Sequence, residues 1–507
     1  MKTWIKPLSA TALASAFLVL PMASQAEAVS KPKYSAKVPD SVKTPDKVET
    51  KSLGALEFFD GMPTAETLRK VYDNLDLTRG VTVFLDAIPI TSLYAMNHGL
   101  RKAGVKPGEV GITETLLDAR SLLLTPNTTT IYILAQIDLS DGPVVMEAPP
   151  QMLGLVNDAM FRYVIDVGQA GPDKGKGGKF LFVPPGYKGD IPDGYFVAKS
   201  KTYDHWVALR ASVKDGDTAT PVKSVKKHLN IYPLSKANNP PAETFHNLSG
   251  KQFNTIHANN FEFYEELNEV IQKEPADAFP AELVGAFASI GIKKGQSFKP
   301  DERMKKILTE AAAIANATAR ALTFNPRKKS AFFYEDRKWT SPFAGGSHEF
   351  FNKGERVLDD RTFFHYFATG ITPAMAKSAV GKGSAYAAAA MDSKGKYLDG
   401  GKSYKVTLPK PIPAKNFWSF MVYSGQHRSI LETDQKTGGV DSKSRNIKPN
   451  KDGTNTVWFG PKAPKGKEGN WVQTIPGKSY NVLLRLYGPL EPWFKKTWKP
   501  GDFELVN

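Results

Sequence analysis

The chain has 507 residues, 41% apolar and 11% aromatic, enough for a large core shared between two domains. It contains no cysteine, which excludes disulfides, thiolate metal sites and cysteine nucleophiles. The formal charge of +16 suits an anionic partner, but its lysines are spread over loops such as Lys174–Lys179 and Lys462–Lys467. No nucleic-acid recognition motif accompanies them, and solubility alone accounts for the charge equally well.

Lys2 and Lys6 precede an apolar run over Ala12–Leu20, and Ser24, Ala26 and Ala28 offer the small residues of a cleavage site. The run is too short to cross a bilayer, so residues 1–28 are expected to be a signal peptide and the mature chain periplasmic or secreted. No later segment is apolar for long enough to span a membrane. Residues 29–60 lack a steady period and are expected to form a mobile leader.

A short helix is predicted over Glu66–Leu75 with Thr64 as its cap, and Arg79–Asn97 reads as buried helix or strand. Strand signals follow at Thr129–Ile137, Pro143–Glu147, Phe161–Val167, Phe180–Val183, Tyr195–Lys199 and His205–Arg210. Helices are predicted over Phe261–Gln272 with Asn260 as cap, Pro280–Ser289, Asp301–Leu322 and Thr362–Phe367. The alanines of the third allow close helix packing. Strands return at Tyr404–Leu408, Phe417–Tyr423, Thr456–Phe459 and Tyr480–Arg485. The expectation is an α+β fold: a β-rich domain over 61–215, a helical connector over 216–380 and a second β-rich domain over 381–507. The two β-rich parts read as β-sandwich-like modules.

Several phrases are more specific than any single glycine loop. The first module carries Pro126-Asn127-Thr128-Thr129-Thr130-Ile131-Tyr132, Phe161-Arg162-Tyr163 and a Gly/Lys loop from Gly171 to Lys179 that runs on to Tyr187. The second carries Leu398-Asp399-Gly400-Gly401, Pro413–Ser419, Asn470–Gly477 and Leu484-Arg485-Leu486-Tyr487-Gly488-Pro489. In these the chain resembles a family built from two adjoining domains of unknown function, DUF1254 followed by DUF1214. The resemblance implies an exported protein of sandwich-like modules with helical additions, and it brings no catalytic role. Thr128-Thr129 departs from the Asn-x-Asp-Thr of many relatives, which weakens any role needing an acid there.

There is no Gly-x-Ser-x-Gly elbow, His-Glu-x-x-His zinc motif or phosphate-binding loop, and so no nucleotide-cofactor signature. The Gly/Lys loop at 171–179 offers backbone donors to an anion but precedes a strand instead of a helix, and a solvent-exposed turn explains it too. His246, His257 and Glu262 are a candidate divalent-metal set, two imidazoles and a carboxylate. Alternatively, His246 bonds within a loop and Glu262 starts a helix. His365 is a candidate proton-transfer group, its tautomer set by Asp359 or Asp360, with Arg361 one turn away to orient an anion. A charged helix start with an ordering ion pair is the alternative. Asn127, Tyr132, Arg162, Trp418 and Arg428 are candidates to line a ligand groove, although large aromatics also make ordinary cores. The leading expectation is a ligand-binding protein for a small molecule or an anionic envelope component. The alternatives are a hydrolase or lyase using the His/carboxylate or metal set, and a structural or interaction protein.

Overall fold

The computed structural model describes residues 36–341, 343, 346–444 and 446–506. The expected signal peptide and the start of the expected leader lie outside the described residues. The chain divides into two units between Val71 and Tyr72.

In the first unit β1 (Lys47–Thr50) pairs antiparallel with β2 (Gly54–Phe59), and β3 (Met62–Pro63) turns back on β2. Asp60 and Gly61 join Phe59 to Met62 with φ of 48° and 84°. Asp-Gly is a preferred pair for such a two-residue turn. The expected leader carries the β1–β2 hairpin, and the dipeptide ends it by turning β2 back into β3. Thr64 accepts a bond from the Thr67 amide at 3.3 Å at the start of α1 (Ala65–Lys102).

The helix does not stop at Leu75. It continues through the ambiguous stretch despite Pro89, because Val83, Phe84, Ala87, Ile88 and Ile90 are fully buried. That packing outweighs the hydrogen bond the proline removes.

The first sandwich is made of β4 (Val110–Ile112), β6 (Thr130–Asp138), β7 (Val144–Ala148), β8 (Leu153–Asp158), β9 (Tyr163–Gly168), β10 (Gly178–Val183), β11 (Phe196–Lys199) and β12 (Asp204–Ser212). After α2 (Ala219–His228), β13 (Asn230–Pro233) and β14 (Phe245–Asn247) complete it. The six-stranded sheet runs β14-β4-β6-β12-β8-β9 and the four-stranded sheet runs β11-β10-β7-β13. Ile131, Ile133, Val207 and Leu209 of the first pack on Met146, Phe180 and Phe182 of the second. Residues 230–247 thus belong to this sandwich and not to a helical connector. A short parallel pair joins β5 (Ser121–Leu122) to β15 (Phe253–Asn254).

Helices α3 (Glu262–Lys273), α4 (Ala281–Ser289) and α5 (Glu302–Phe324) share one core with α1. Asp301 caps α5 by accepting from the Met304 amide at 2.7 Å, and Asn260 accepts from the Glu262 amide at 3.1 Å. A small hairpin, β16 (Phe351–Asn352) and β17 (Glu355–Arg356), precedes α6 (Leu358–Phe367) and the short α7 (Pro373–Ala376).

The second sandwich stacks the sheet β18-β24-β20-β21 on the sheet β23-β22-β19-β25. Its strands are β18 (Ser384–Ala389), β19 (Ser403–Leu408), β20 (Ala414–Ser424), β21 (Gly439–Asp441), β22 (Asn455–Gly460), β23 (Trp471–Gln473), β24 (Tyr480–Pro489) and β25 (Glu504–Val506), with α8 (Glu491–Phe494) before the last. Phe420, Val422, Val482 and Leu484 face Tyr404, Val406, Val457 and Phe459 across its core. The α+β expectation with two sandwich-like modules holds.

Candidate functional site

Each sandwich spends one face of its larger or central sheet on its own core, and the strand period of two sends alternate residues the other way. In the first module Tyr132 on β6 is directly opposite Arg210 on β12, and Arg210 is opposite Leu153 on β8. One row along, Ala208 is opposite Leu155, and Leu155 is opposite Asp166 on β9. In the second module Tyr386 on β18 is opposite Arg485 on β24, and Ser384 is opposite Tyr487. These faces flank a cavity of about 610 Å³, closed further by Phe364 and Phe367 of α6 and by Leu123 and Leu124. Such a volume suits a drug-sized organic molecule.

The walls mix apolar and polar side chains, and their charged groups are Arg210, Arg485, Asp166, Lys174, Lys377 and Lys382. Arg210 lines the cavity and forms no ion pair or side-chain hydrogen bond among the described residues. Tyr386, Tyr132, Tyr487 and Arg485 all lie within its electrostatic reach. Arg485 is 3% exposed. Its Nη2 donates to the carbonyls of Thr125 at 2.6 Å and Pro126 at 3.3 Å and to the Tyr423 hydroxyl at 2.8 Å. Its Nη1 is buried with no partner, as is the Tyr487 hydroxyl. No carboxylate pairs with either arginine among the described residues; Arg210 is half-buried, whereas Arg485 is buried, where an unpaired arginine is rare. Tyr132 accepts from the Asn127 amide at 3.1 Å and from Asn127 Nδ2 at 2.9 Å, which leaves its own O–H proton to donate elsewhere. On the same sheet face as Arg210, Asp166 is 6% exposed. Burial pushes its pKa up to about 6, against the Thr372 hydroxyl that favours the charged form.

Residues 107–233 match the family DUF1254 and residues 383–491 match DUF1214, each described as a protein of unknown function. Both matches fall in one chain, DUF1254 first and DUF1214 second. Its fold is similar to the crystal structure of the VPA0106 protein from Vibrio parahaemolyticus, with a TM-score of 0.53 at 17% identity over 85% of this chain and all of that one. An uncharacterized protein from Burkholderia cenocepacia aligns at 12% identity over 86% of this chain and 96% of that one, with a TM-score of 0.37. No curated protein matches. The cavity therefore lies between the sheets of the DUF1254 and DUF1214 modules.

The structure places the residues singled out from the sequence as follows. Asn127 and Tyr132 line the cavity. Asn127 works inwardly: its Oδ1 accepts from the amides of Thr129 and Thr130, both at 3.0 Å, and from their hydroxyls. It holds the turn that presents Tyr132. Thr129, at the acid position of the Asn-x-Asp-Thr pattern, donates from its amide and its hydroxyl to Asn127 Oδ1, so an acid there would lose the hydroxyl bond. Arg162 pairs with Asp158 at 2.6 Å. Trp418 packs in the core of the DUF1214 sandwich, opposite Leu486 and facing away from the cavity. Arg428 is 1% exposed, lies over the Tyr366 ring at 3.8 Å and donates to the Tyr366 carbonyl at 2.7 Å. None of these last three lines the cavity.

The proton-transfer set is not assembled. His365 is buried among the rings of Phe161, Phe350 and Phe364, with centroids at 5.7, 5.5 and 5.0 Å. Its Nδ1 has no partner, and burial followed by the nearby Arg361 pushes its pKa down to about 3. Arg361 pairs with Asp86, Asp359 pairs with Arg327 at 3.0 Å, and burial raises the pKa of Asp360. The alternative reading, an ion-paired helix start around a core histidine, describes α6.

The metal set is dispersed too. His246 Nε2 bonds Glu109 at 2.7 Å, His257 Nδ1 bonds the Ala258 carbonyl at 2.8 Å, and Glu262 begins α3 on the surface. No group of three or more potential ligands is gathered anywhere among the described residues. In the Gly/Lys loop the amides of Gly171, Lys174, Lys176 and Gly177 are taken by acceptors of the chain itself. Asp173 accepts from the amides of Gly168 at 2.8 Å and Gly177 at 3.2 Å.

Sequence reasoning missed Arg210, Arg485 and Asp166. The signal was a charge inside an apolar strand, as in Leu484-Arg485-Leu486 and Ile165-Asp166-Val167. A charge there points inward or to a ligand, since strand neighbours cover the rest.

Proposed function

We propose that the protein binds a small organic anion with a substantial apolar body, held in the cavity between the two modules. The observation that carries the reading is Arg210, a cation on the cavity wall with no protein counter-ion among the described residues. The Arg485 guanidinium and the hydroxyls of Tyr132 and Tyr386 supply further donors, and Trp206, Leu155, Phe364 and Phe367 supply apolar contact. In the same reading, segment 1–28 is removed on export and the ligand is met in the periplasm or outside the cell. The ligand is then a free organic acid or an anionic component released from the envelope.

The test is calorimetry with aliphatic and aromatic carboxylates on wild type and on Arg210→Met, alongside native mass spectrometry of protein from its own compartment. A hydrogen bond to a charged group contributes about 1.5–3 kcal/mol, so the substitution should weaken binding by about tenfold or more. Carboxylate binding unchanged in Arg210→Met would overturn the proposal, as would an absence of binding throughout the series.

A further inference from the structure

Asp166 adds something that an anion site does not need. Its carboxyl lines the same cavity, is 6% exposed and has no ion pair among the described residues. It shares the sheet face with Arg210, two strands over and one row along, through the pairs Arg210–Leu153, Ala208–Leu155 and Leu155–Asp166. At about 4.8 Å per strand and about 6.6 Å per two residues, the two Cα atoms are about 12 Å apart. Leu153, Leu155 and Ala208 lie between them. One wall thus presents a cation, an aliphatic stretch and an acid, in that order.

We infer that the occupant is an elongated zwitterion, an organic acid carrying an ammonium group at its far end, with the acid at Arg210 and the ammonium at Asp166. This rests on the anion-binding reading of the same cavity. Burial without a cation disfavours the charged form of a carboxyl, and an ammonium beside it offsets that penalty. Thr372 bonds to Asp166 and Tyr163 lies close by on β9, while Gln169, Lys174, Lys377 and Lys382 also line the cavity, none of the lysines forming an ion pair with Asp166 among the described residues. That position is therefore open to a ligand cation.

The experiment compares 6-aminohexanoate, 8-aminooctanoate and 11-aminoundecanoate with hexanoate, octanoate and undecanoate. Binding to wild type and to Asp166→Asn is measured by calorimetry at pH 7.5. Asparagine keeps the shape and loses the buried charge, and the melting temperature of the variant confirms that it folds. The expected result is that at least one amino acid binds wild type about tenfold or more tighter than its plain partner. Asp166→Asn should abolish that preference while leaving the plain acid's affinity within about twofold. Plain acids binding as tightly as, or tighter than, every amino acid would overturn the inference and leave the anion site standing. A preference that survives in Asp166→Asn would also overturn it. If neither series binds, the anion-binding reading itself falls, and the inference with it.

Discussion

His365 shows how a single residue's environment separates chemistry from structure. Unfolded, an imidazole takes a proton below about pH 6.5. Folded, burial among aromatic rings holds this one neutral down to about pH 3. Its stabilising contribution is therefore full above the unfolded value and is lost as pH falls from 6.5 towards 3. Replacing His365 by Leu should shrink the fall in melting temperature between pH 7 and pH 4. Ligand affinity should stay unchanged, because the ring is not part of the cavity wall. An acid limb as steep as wild type in thermal melts would contradict this assignment. Asn127 teaches the complementary lesson: the sequence motif around it is specific, yet its polar atoms serve the turn and reach the cavity through Tyr132.

Among the elements, β8 is one that the sequence concealed. Leu153-Gly154-Leu155-Val156-Asn157-Asp158 includes glycine and two turn-forming residues, which are depleted in strands. Gly154 is required by close approach: a Cβ there would meet the Ala208 carbonyl oxygen and Leu209 Cδ2, both at 2.5 Å. Gly154→Ala should destabilise the protein by about 1–3 kcal/mol in denaturant unfolding, the usual range for overpacking. It should also weaken ligand binding, because β8 carries Leu153 and Leu155 on the cavity wall. A fully stable variant with unchanged affinity would show that β12 can yield there. The strand β18 was hidden for a different reason: Ser-Ala-Tyr-Ala-Ala-Ala favours a helix by propensity, but its pairing with β24 over six residues decides its state.

At the scale of the second unit, the two modules depend on each other. Arg485 and Tyr423 of the DUF1214 module donate to the Thr125 and Pro126 carbonyls of the DUF1254 module. Met421 and Leu483 share a buried cluster with Phe363 and Phe367 of α6. Arg320 of α5 donates to the Gly425 and Gln426 carbonyls at 2.7 and 2.6 Å. Residues 383–507 produced alone would leave these donors unpaired and this apolar face wet. That fragment should bind a hydrophobic dye and show poor amide dispersion by NMR. A sharp cooperative melt at the intact protein's temperature would demonstrate an independent domain instead.

The sequence by itself determined the class of fold, the family resemblance and most regular elements. Alternation, capping residues and turn dipeptides are local, and each acts within a few positions of the residues that carry it. Asp301 before α5 and the β-branched run of β6 are legible for that reason. Tertiary structure alone decided which charges share a site. The pairing of β12 with β8, and the meeting of that sheet face with β18 and β24, bring Arg210 and Asp166 to one cavity with Arg485, hundreds of residues further along the chain. The same long-range packing buried His365 and tied His246 to Glu109. A residue type announces what chemistry it can do, but burial and partners decide whether it does so, and both are set by neighbours distant in the chain.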